Sequence, residues 1–213
     1  MTGAPEGLDA FTTRAWMLAA AVGVEQAADE LTALDAAIGD GDHGSNLRRG
    51  FRAVAEALDG LDAPTPGAVL LKAGMTLISS VGGASGPLYG SALRAMGKAL
   101  DQPSADAAQL AVALTAGLDA VRRLGAAQDG DKTMVDAWAP GAAAFTEAEG
   151  KGLAAASEAA AEAAELGALT TVPMQARKGR ASYLGERSVG HQDPGATSTA
   201  LLFRTLADVL AGR

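Results

Sequence analysis

The sequence predicts an all-α protein. Alanine and leucine dominate almost every long segment, and their spacing is helical rather than alternating. Runs of alternating β-branched residues, which would indicate strands, are missing. Glycine and proline punctuate the segments at short intervals. The pattern therefore indicates antiparallel helices joined by short connections.

Nine helical segments follow from this pattern. They are expected at about 8–23, 25–37, 44–59, 66–81, 86–101, 105–124, 133–148, 152–169 and 195–211. The sixth carries a stripe of apolar residues at three- and four-residue steps, which is typical of a helix packed in a bundle. The stripe is formed by Leu110, Ala113, Leu114, Leu118 and Val121.

Several helix ends have a local cause. Pro66 and Pro87 are expected in first turns, where a missing N–H is harmless, and Ser104 as an N-terminal cap. Glycine after a periodic segment favours a helix stop, because glycine adopts the left-handed conformation that such stops use. The expected stops are Gly60, Gly125 and Gly212.

Length, composition and charge limit the class of protein. The 213 residues suit a single domain over residues 1–213, and the 48% hydrophobic and 20% charged contents are normal for a globular fold. A net charge of -8 leaves no broad basic surface, so nucleic acid and anionic membranes are poor partners. The absence of cysteine fits a reducing compartment, and we expect a cytoplasmic location. The N-terminus MTGAPEGLDAF shows no signal peptide, and no apolar run is long enough to span a bilayer.

The stretch LDAAIGDGDHGSN ends an alanine-rich segment with Asp35, Asp40 and Asp42. Glycines between these residues tolerate positive φ, so the backbone can turn back and bring the three carboxylates together. Converging like charges need a cation, and three carboxylates without a soft ligand suit Mg²⁺. The spacing does not fit a calcium loop of the D-x-D-x-D-G type. A solvated Asp-Gly turn is the alternative, and these residues alone leave both open.

A glycine-rich turn separates two apolar helices in GMTLISSVGGASGPLYG, residues 74–90. Backbone N–H groups of the turn, and of the next helix's first turn, are free to bind an anion such as phosphate. The turn lacks the Gly-Lys-Ser/Thr ending of a Walker A loop. A connection that merely needs small residues is the alternative.

Two late segments supply positive charge to an otherwise acidic chain. GDKTM, residues 130–134, is followed by the polar, glycine-rich stretch 177–197, which shows no helical stripe. A structureless stretch that long is uncommon in a compact domain and is usually functional or disordered. A basic cluster here would hold a polyphosphate, whereas scattered solvated charges are the alternative. The cluster would consist of Lys132, Arg177, Lys178, Arg180 and Arg187.

The two histidines and the large aromatic residues are each open to a purely structural role. His43 and His191 suit helix capping or loop hydrogen bonding without any chemistry. The aromatic residues favour the core or its rim over stacking platforms. They are Trp16, Trp138, Tyr89 and Tyr183.

The chain carries, in this order, LDAAIGDGDHGSN, GMTLISSVGGASGPLYG, GDKTMVDAWAP and QARKGRASYLGERSVGHQDPGATS. These stretches closely resemble those of the L subunits of dihydroxyacetone kinases, the ADP-binding subunits of these enzymes. The resemblance runs from about Trp16 to Leu210. It implies an all-α barrel of eight antiparallel amphipathic helices, with the nucleotide site in loops at one end. The first two predicted segments would then be one interrupted helix plus a short extension.

The resemblance also implies the site residues. Asp35, Asp40 and Asp42 would hold two Mg²⁺ ions that bridge the phosphates of ADP or ATP, and Arg180 would offset charge on the transferred group as a catalytic residue. The remaining nucleotide contacts follow position by position from the same motifs. They would be His43, Gly44, Ser45, Asn46, Ala84, Ser85, Gly125, Met134, Arg180, Asp193, Pro194 and Gly195.

The implied reaction is phosphoryl transfer to dihydroxyacetone held covalently by a histidine of a separate K subunit. In one version of the family, ADP stays bound and is rephosphorylated by a phosphohistidine of an M subunit of the phosphotransferase system. In the other, free ATP is the donor and the two domains are commonly fused, and related subunits also serve other small sugars. A separate chain of 213 residues favours the first version.

Two other classes of function stay open. Some L subunits contact a transcription regulator, so the chain could be a regulatory module that holds a nucleotide and reports phosphorylation state. The other possibility is an α-helical scaffold that binds no nucleotide. Retention of ADP with Mg²⁺ separates the scaffold from the first two, and turnover with a K subunit separates the kinase from the regulator.

Overall fold

The all-α prediction is confirmed by the computed structural model, which describes residues 7–213. Eight α-helices and two short 3-10 segments, Glu149–Lys151 and Arg180–Ser188, make up most of these residues. Two-residue strands, β1 (Leu8–Asp9) and β2 (Ser104–Ala105), pair antiparallel. The helices are α1 (Ala10–Ile38), α2 (His43–Leu58), α3 (Pro66–Ser80), α4 (Ser85–Ala99), α5 (Ala107–Gly125), α6 (Val135–Ala148), α7 (Leu153–Thr170) and α8 (Pro194–Leu210).

The helices form a closed ring. Each helix packs against the next one along the chain, and α8 packs back against α1. The closing contact includes a buried hydrogen bond, in which the indole N–H of Trp16 donates to the carbonyl oxygen of Leu202 at 3.0 Å. Because helices that follow one another along the chain pack side by side, the chain direction alternates around the ring. The eight-helix barrel implied by the family resemblance is therefore present.

The predicted break between segments 8–23 and 25–37 was wrong. The structure has one uninterrupted helix, α1, of 29 residues. Gly23 lies inside it, where the methyl carbons of Leu201 and Thr205 approach the site that a side chain would fill. A helical glycine is unfavourable by about 1 kcal/mol relative to alanine, but here it lets α8 pack closely against α1. Glycine therefore marks a helix contact at this position rather than a stop.

Most predicted helix ends hold, with two exceptions. Pro66 opens α3 after the Thr65 cap, whose side chain accepts from the N–H of Ala68 at 3.0 Å. Pro87 lies in the first turn of α4, and Gly60 and Gly212 have φ of 66° and 71°. Ser104 caps no helix, because β2 contains it and the capping box of α5 uses Asp106 and Gln109. The left-handed residue after α5 is Ala126, with φ of 46°, and Gly125 stays helical.

The core fills the inside of the ring. All five residues of the predicted α5 stripe are buried, as that prediction required. Trp138 contacts Phe203 edge to face, with ring centroids 5.7 Å apart, and its indole N–H donates to the carbonyl oxygen of Leu114. Trp16 and Tyr89 are buried as well, whereas Tyr183 is 86% exposed.

The alternating chain direction gathers four connections at one end of the ring. They are the connections that follow the odd-numbered helices, at residues 39–42, 81–84, 126–134 and 171–193. The N-termini of α2, α4, α6 and α8 begin at this same end. Every motif singled out in the sequence includes one of these connections.

Residues 1–6 lie outside the described residues, and the expectation that the N-terminus carries no signal peptide falls partly on them. Across residues 7–213, none of the helices combines the length and the apolar character that crossing a bilayer requires.

The closest packing of α3 on α4 gives a first prediction. A methyl group on Gly67 would overlap the carbonyl oxygens of Gly97 and Leu100, both of them rigid backbone atoms. We expect Gly67→Ala to lower the free energy of unfolding by about 1–3 kcal/mol, measured by urea denaturation. Gly150→Ala is the matched control, because nothing lies within 4 Å of the added methyl group. Equal stability of the two variants would contradict this account of the helix contact.

Candidate nucleotide and metal site

A cavity of about 340 Å³ opens between the four gathered connections. Each connection contributes to its wall, so the cavity exists only when the ring is closed. Most of the predicted site residues line it. They are Asp35, Asp40, Asp42, His43, Ala84, Ser85, Gly125, Met134, Arg180, Asp193, Pro194 and Gly195.

Three carboxylates converge on one side of the cavity. Asp35, Asp40 and Asp42 each offer an oxygen, and these oxygens lie within 4.8 Å of one another. Gly41 turns the backbone between them, with a φ of 72°. Three hard oxygen ligands at this separation match what Mg²⁺ takes from a protein, with water and phosphate completing its coordination. The donor set therefore fits the metal that the sequence predicted.

Asp35 also shapes the backbone of this loop. Its carboxylate accepts from the backbone N–H of Asp42 at 2.8 Å and of His43 at 3.1 Å. Those two groups open α2, whose own cap residue makes no side-chain hydrogen bond. Asp35 thus serves the start of α2 from the last turn of α1.

Arg180 faces the carboxylates from the other wall. Its Nε lies 2.9 Å from Oδ2 of Asp40. A small apolar cluster beneath the Arg180–Ser188 segment, formed by Ile38, Ala176, Ala181 and Leu184, packs this segment against the end of α1. A guanidinium at this place can offset charge on an anion in the cavity.

The glycine-rich turn ends at an uncapped helix. Ala84 precedes α4 without any side-chain hydrogen bond to the first turn, and Gly83 has a φ of 67°. The N–H groups of Ser85 and Gly86 are among those that a helix start leaves without an intrahelical partner. An anion in the cavity would satisfy them, as the sequence predicted.

His43 links three helices through a buried polar network. Its Nδ1 lies 3.0 Å from Oγ of Ser85, and its Nε2 lies 2.9 Å from Oγ of Ser198. Ser198 in turn contacts the hydroxyl of Tyr89 at 2.7 Å, and Tyr89 contacts Thr199. Burial lowers the pKa of His43, although Asp35 and Asp42 oppose this. Burial raises the pKa of Tyr89, because it disfavours the charged phenolate.

Ser198, which contacts His43, and Tyr89, which contacts Ser198, were not predicted from the sequence as members of this network. Both lie within stretches singled out in the sequence, Tyr89 one turn after Ser85 and Ser198 three residues after Gly195. That spacing placed them on the same side of their helices, which is the signal that could have found them.

Three predicted nucleotide contacts do not line the cavity. Gly44 packs α2 against α1, where a side chain would overlap the carbonyl oxygen of Ala28. The hydroxyl of Ser45 donates to the carbonyl oxygen of Asp42, and the side chain of Asn46 accepts from Arg49 at 2.8 Å. Their role as nucleotide contacts stays a prediction.

The predicted basic cluster does not form as a unit. Lys178 and Arg180 line the cavity, whereas Arg177 and Arg187 are exposed away from it. Lys132 borders the cavity, but its side chain is buried and its ammonium donates to backbone carbonyls. Burial lowers its pKa, and Asp193 acts in the opposite direction. The prediction that Lys132 holds a polyphosphate was therefore wrong.

Asp193 caps the helix that closes the cavity. Its Oδ2 accepts from the N–H of Ala196 at 2.7 Å, and its own N–H donates to the hydroxyl of Thr171 at 2.9 Å. The side chain is buried, and this burial raises its pKa to about 7 from the usual 3.8.

The helical fold of this chain is shared with known proteins. The model of the DAK2 domain family matches residues 37–208. The chain therefore belongs to the DAK2 domain family.

The relatives include both separate subunits and longer kinases. The PEP-dependent dihydroxyacetone kinase ADP-binding subunit DhaL of Escherichia coli is 48% identical over 180 residues, which cover 83% of this chain and 86% of that one. The L-erythrulose 1-kinase of Mycolicibacterium smegmatis is 43% identical, and the match covers 85% of this chain and 32% of the kinase.

A solved structure shares the fold. It is the dihydroxyacetone kinase from C. freundii in complex with AMP-PNP and Mg²⁺, which matches with a TM-score of 0.72 and 28% identity. The match covers 96% of this chain and 34% of that one. This chain therefore spans about a third of the length of the solved kinase.

The raised pKa of Asp193 predicts a pH-dependent stability. Between the usual 3.8 and about 7 the folded protein holds this proton more tightly than the unfolded chain does, so the free energy of unfolding falls as the pH rises through that range. Asn at this position still accepts from the N–H of Ala196 but has no proton to lose. Relative to Asp193→Asn, the wild type should lose up to about 1.4 kcal/mol per pH unit.

The measurement is urea unfolding between about pH 5 and pH 8, without nucleotide or metal. Asp62→Asn is the control, because Asp62 is exposed in the connection at the opposite end of the ring, and it should follow the wild type. Parallel pH profiles for wild type and Asp193→Asn would refute the assignment.

Proposed function

We propose that this chain is the nucleotide-binding subunit of a dihydroxyacetone kinase. One observation carries the proposal: three carboxylates, an arginine and an uncapped helix N-terminus meet around one cavity. This set provides a place for Mg²⁺ and donors for phosphate oxygens. The relatives support the choice of nucleotide, because the first is named an ADP-binding subunit and the solved kinase holds AMP-PNP with Mg²⁺.

The proposed mechanism rests on positioning and on charge neutralisation. Asp35, Asp40 and Asp42 would hold two Mg²⁺ ions, which when bound supply positive charge against phosphate oxygens. Arg180 lies beside the carboxylates and offsets charge that develops on the transferred group. The first turn of α4 and the residues from His43 onward hold the nucleotide in place. Phosphoryl transfer needs little more from the protein than this alignment.

The proposed partners divide the remaining work. A K subunit would hold dihydroxyacetone covalently on a histidine, and an M subunit of the phosphotransferase system would rephosphorylate ADP. Contact with a transcription regulator is a proposed second role. The E. coli relative supports separate subunits, because it is itself named a subunit and this chain covers 86% of it. Such a pathway would place the protein in the cytoplasm.

The acidic cluster gives the first test. Asp40→Ala removes one carboxylate and the partner of Arg180, and turnover with a K subunit and phosphoryl donor should fall by at least about 100-fold. Asp40 is a cleaner target than Asp35, whose carboxylate also caps α2. Asp62→Ala, at the opposite end of the ring, is the control and should keep wild-type turnover. Unchanged turnover in folded Asp40→Ala would rule out the catalytic role of this cluster.

The phosphoryl donor gives a second test. We expect the purified chain to retain ADP, and to support many turnovers when a phosphorylated M-type protein is the only donor. Free ATP in place of that protein should support few turnovers, because ADP stays bound as a cofactor. Ketose phosphate is measured over time with each donor. Faster turnover with ATP alone would instead favour an ATP-dependent kinase subunit.

A further inference from the structure

Lys132 lies at the end of the ring that holds the cavity, between connections 126–134 and 171–193. It belongs to connection 126–134, is 1% exposed, and points its ammonium into connection 171–193. There it donates to four backbone carbonyl oxygens at 2.5–3.0 Å. The acceptors are the carbonyl oxygens of Thr171, Met174, Ser188 and His191.

This arrangement leaves the ammonium with no proton for a phosphate. A lysine has three N–H donors, and four carbonyls already share them. Removing a charge from water costs several kcal/mol unless polar partners replace the water, and a complete ring of carbonyl oxygens does so here. The four acceptors come from both ends of connection 171–193, so this one side chain ties its beginning to its end.

The backbone around Lys132 is held just as firmly. Lys132 has a φ of 62°, a left-handed conformation that is unfavourable for a residue other than glycine and persists only when its surroundings enforce it. The Asp136 carboxylate accepts from the N–H groups of Gly130 and Thr133, and the carbonyl oxygen of Asp131 accepts from the N–H of Arg177 at 3.0 Å. These hydrogen bonds therefore hold connection 126–134 against connection 171–193.

The segment that these hydrogen bonds hold in place carries charged residues of the site. Arg180 lies between the anchors Met174 and Ser188, and it reaches Asp40 at 2.9 Å. Asp193, the cap of α8, follows the last anchor, His191, by two residues. Displacing any of the anchors would move Arg180 relative to the carboxylates.

We propose that Lys132 is a positioning residue for phosphoryl transfer, which sets Arg180 and the start of α8 against the phosphate end of the cavity. It binds no phosphate itself. The proposal rests on the proposed function, since it assigns Lys132 a task in the same site. A lysine that only stabilised the fold would affect unfolding but leave the catalytic step of the folded protein alone.

The test replaces Lys132 by methionine, which keeps most of the stem and removes the charge. Lys151→Met is the control, because Lys151 is exposed at the opposite end of the ring. In folded Lys132→Met, kcat with K subunit and donor should fall by about 100-fold, as expected for a misplacement near 1 Å. The KM for the K subunit should change less than about threefold, and trypsin should cut after Arg177, Lys178 and Arg180 faster than in the wild type.

A second variant separates charge from packing. Lys132→Ala leaves a space with the shape of propylammonium, so added propylammonium should restore part of kcat and the resistance to trypsin. Propanol, which has the same size without the charge, should restore neither. Rescue by propylammonium alone supports the proposal even if the Lys132→Met chain folds poorly.

Three outcomes would overturn the positioning role. They are a wild-type kcat in folded Lys132→Met, equal rescue by propanol, and unfolding of both variants without recovery in propylammonium. Failure of the proposed function is distinguishable, because the wild type itself would then give no turnover. The trypsin pattern and its rescue would still report on Lys132 in that case.

Discussion

Closure of the helical ring is the constraint on which the rest of this structure depends. The 29-residue α1 packs against both α2 and α8, and the Trp16 indole joins it to the backbone of α8. Because the ring alternates in direction, closing it brings four connections to one end. Connections separated by more than 120 residues in sequence, at 39–42 and 171–193, then form walls of one cavity.

Charge within that cavity is arranged so that few groups are left uncompensated. One carboxylate oxygen of Asp35, Oδ2, accepts from the first N–H groups of α2, and Asp40 pairs with Arg180 across the cavity. On the inner side, Lys132 and Asp193 are both buried, one held by carbonyls and the other by helix N–H groups. The outer carboxylates stay accessible to a cation, whereas the inner charges serve the backbone. The outer carboxylates and the buried pair of Lys132 and Asp193 thus have different roles.

The formation of the cavity by a single ring of helices agrees with the membership of this chain in the DAK2 domain family. The relatives include a separate ADP-binding subunit and kinases about three times as long as the match, so sequences similar to this chain occur both as a separate subunit and within larger chains. A cavity built entirely from connections at one end of a ring needs no second domain to form. It does leave the cavity mouth open to a partner, which is what the proposed function requires.

The sequence by itself determined the helices and the ligand types. The periodicity of the sequence predicts the outer bounds of the helices to within a few residues. The Asp-Gly loop, the glycine turn and the Asp-Pro-Gly start of α8 can each be recognised from a few consecutive residues. The exceptions are instructive: Gly23 and Ser104 have the local character of breaks and caps, but α8 and β1 decide otherwise.

Only the tertiary structure decided which charges face the cavity. Lys132 and Arg180 are alike as basic residues in polar loops, yet one is buried among four carbonyls and the other is exposed beside Asp40. His43 likewise hydrogen-bonds to Ser198, which is 155 residues away along the chain. These pairings arise because the closed ring, rather than any local preference, sets the distance between distant connections.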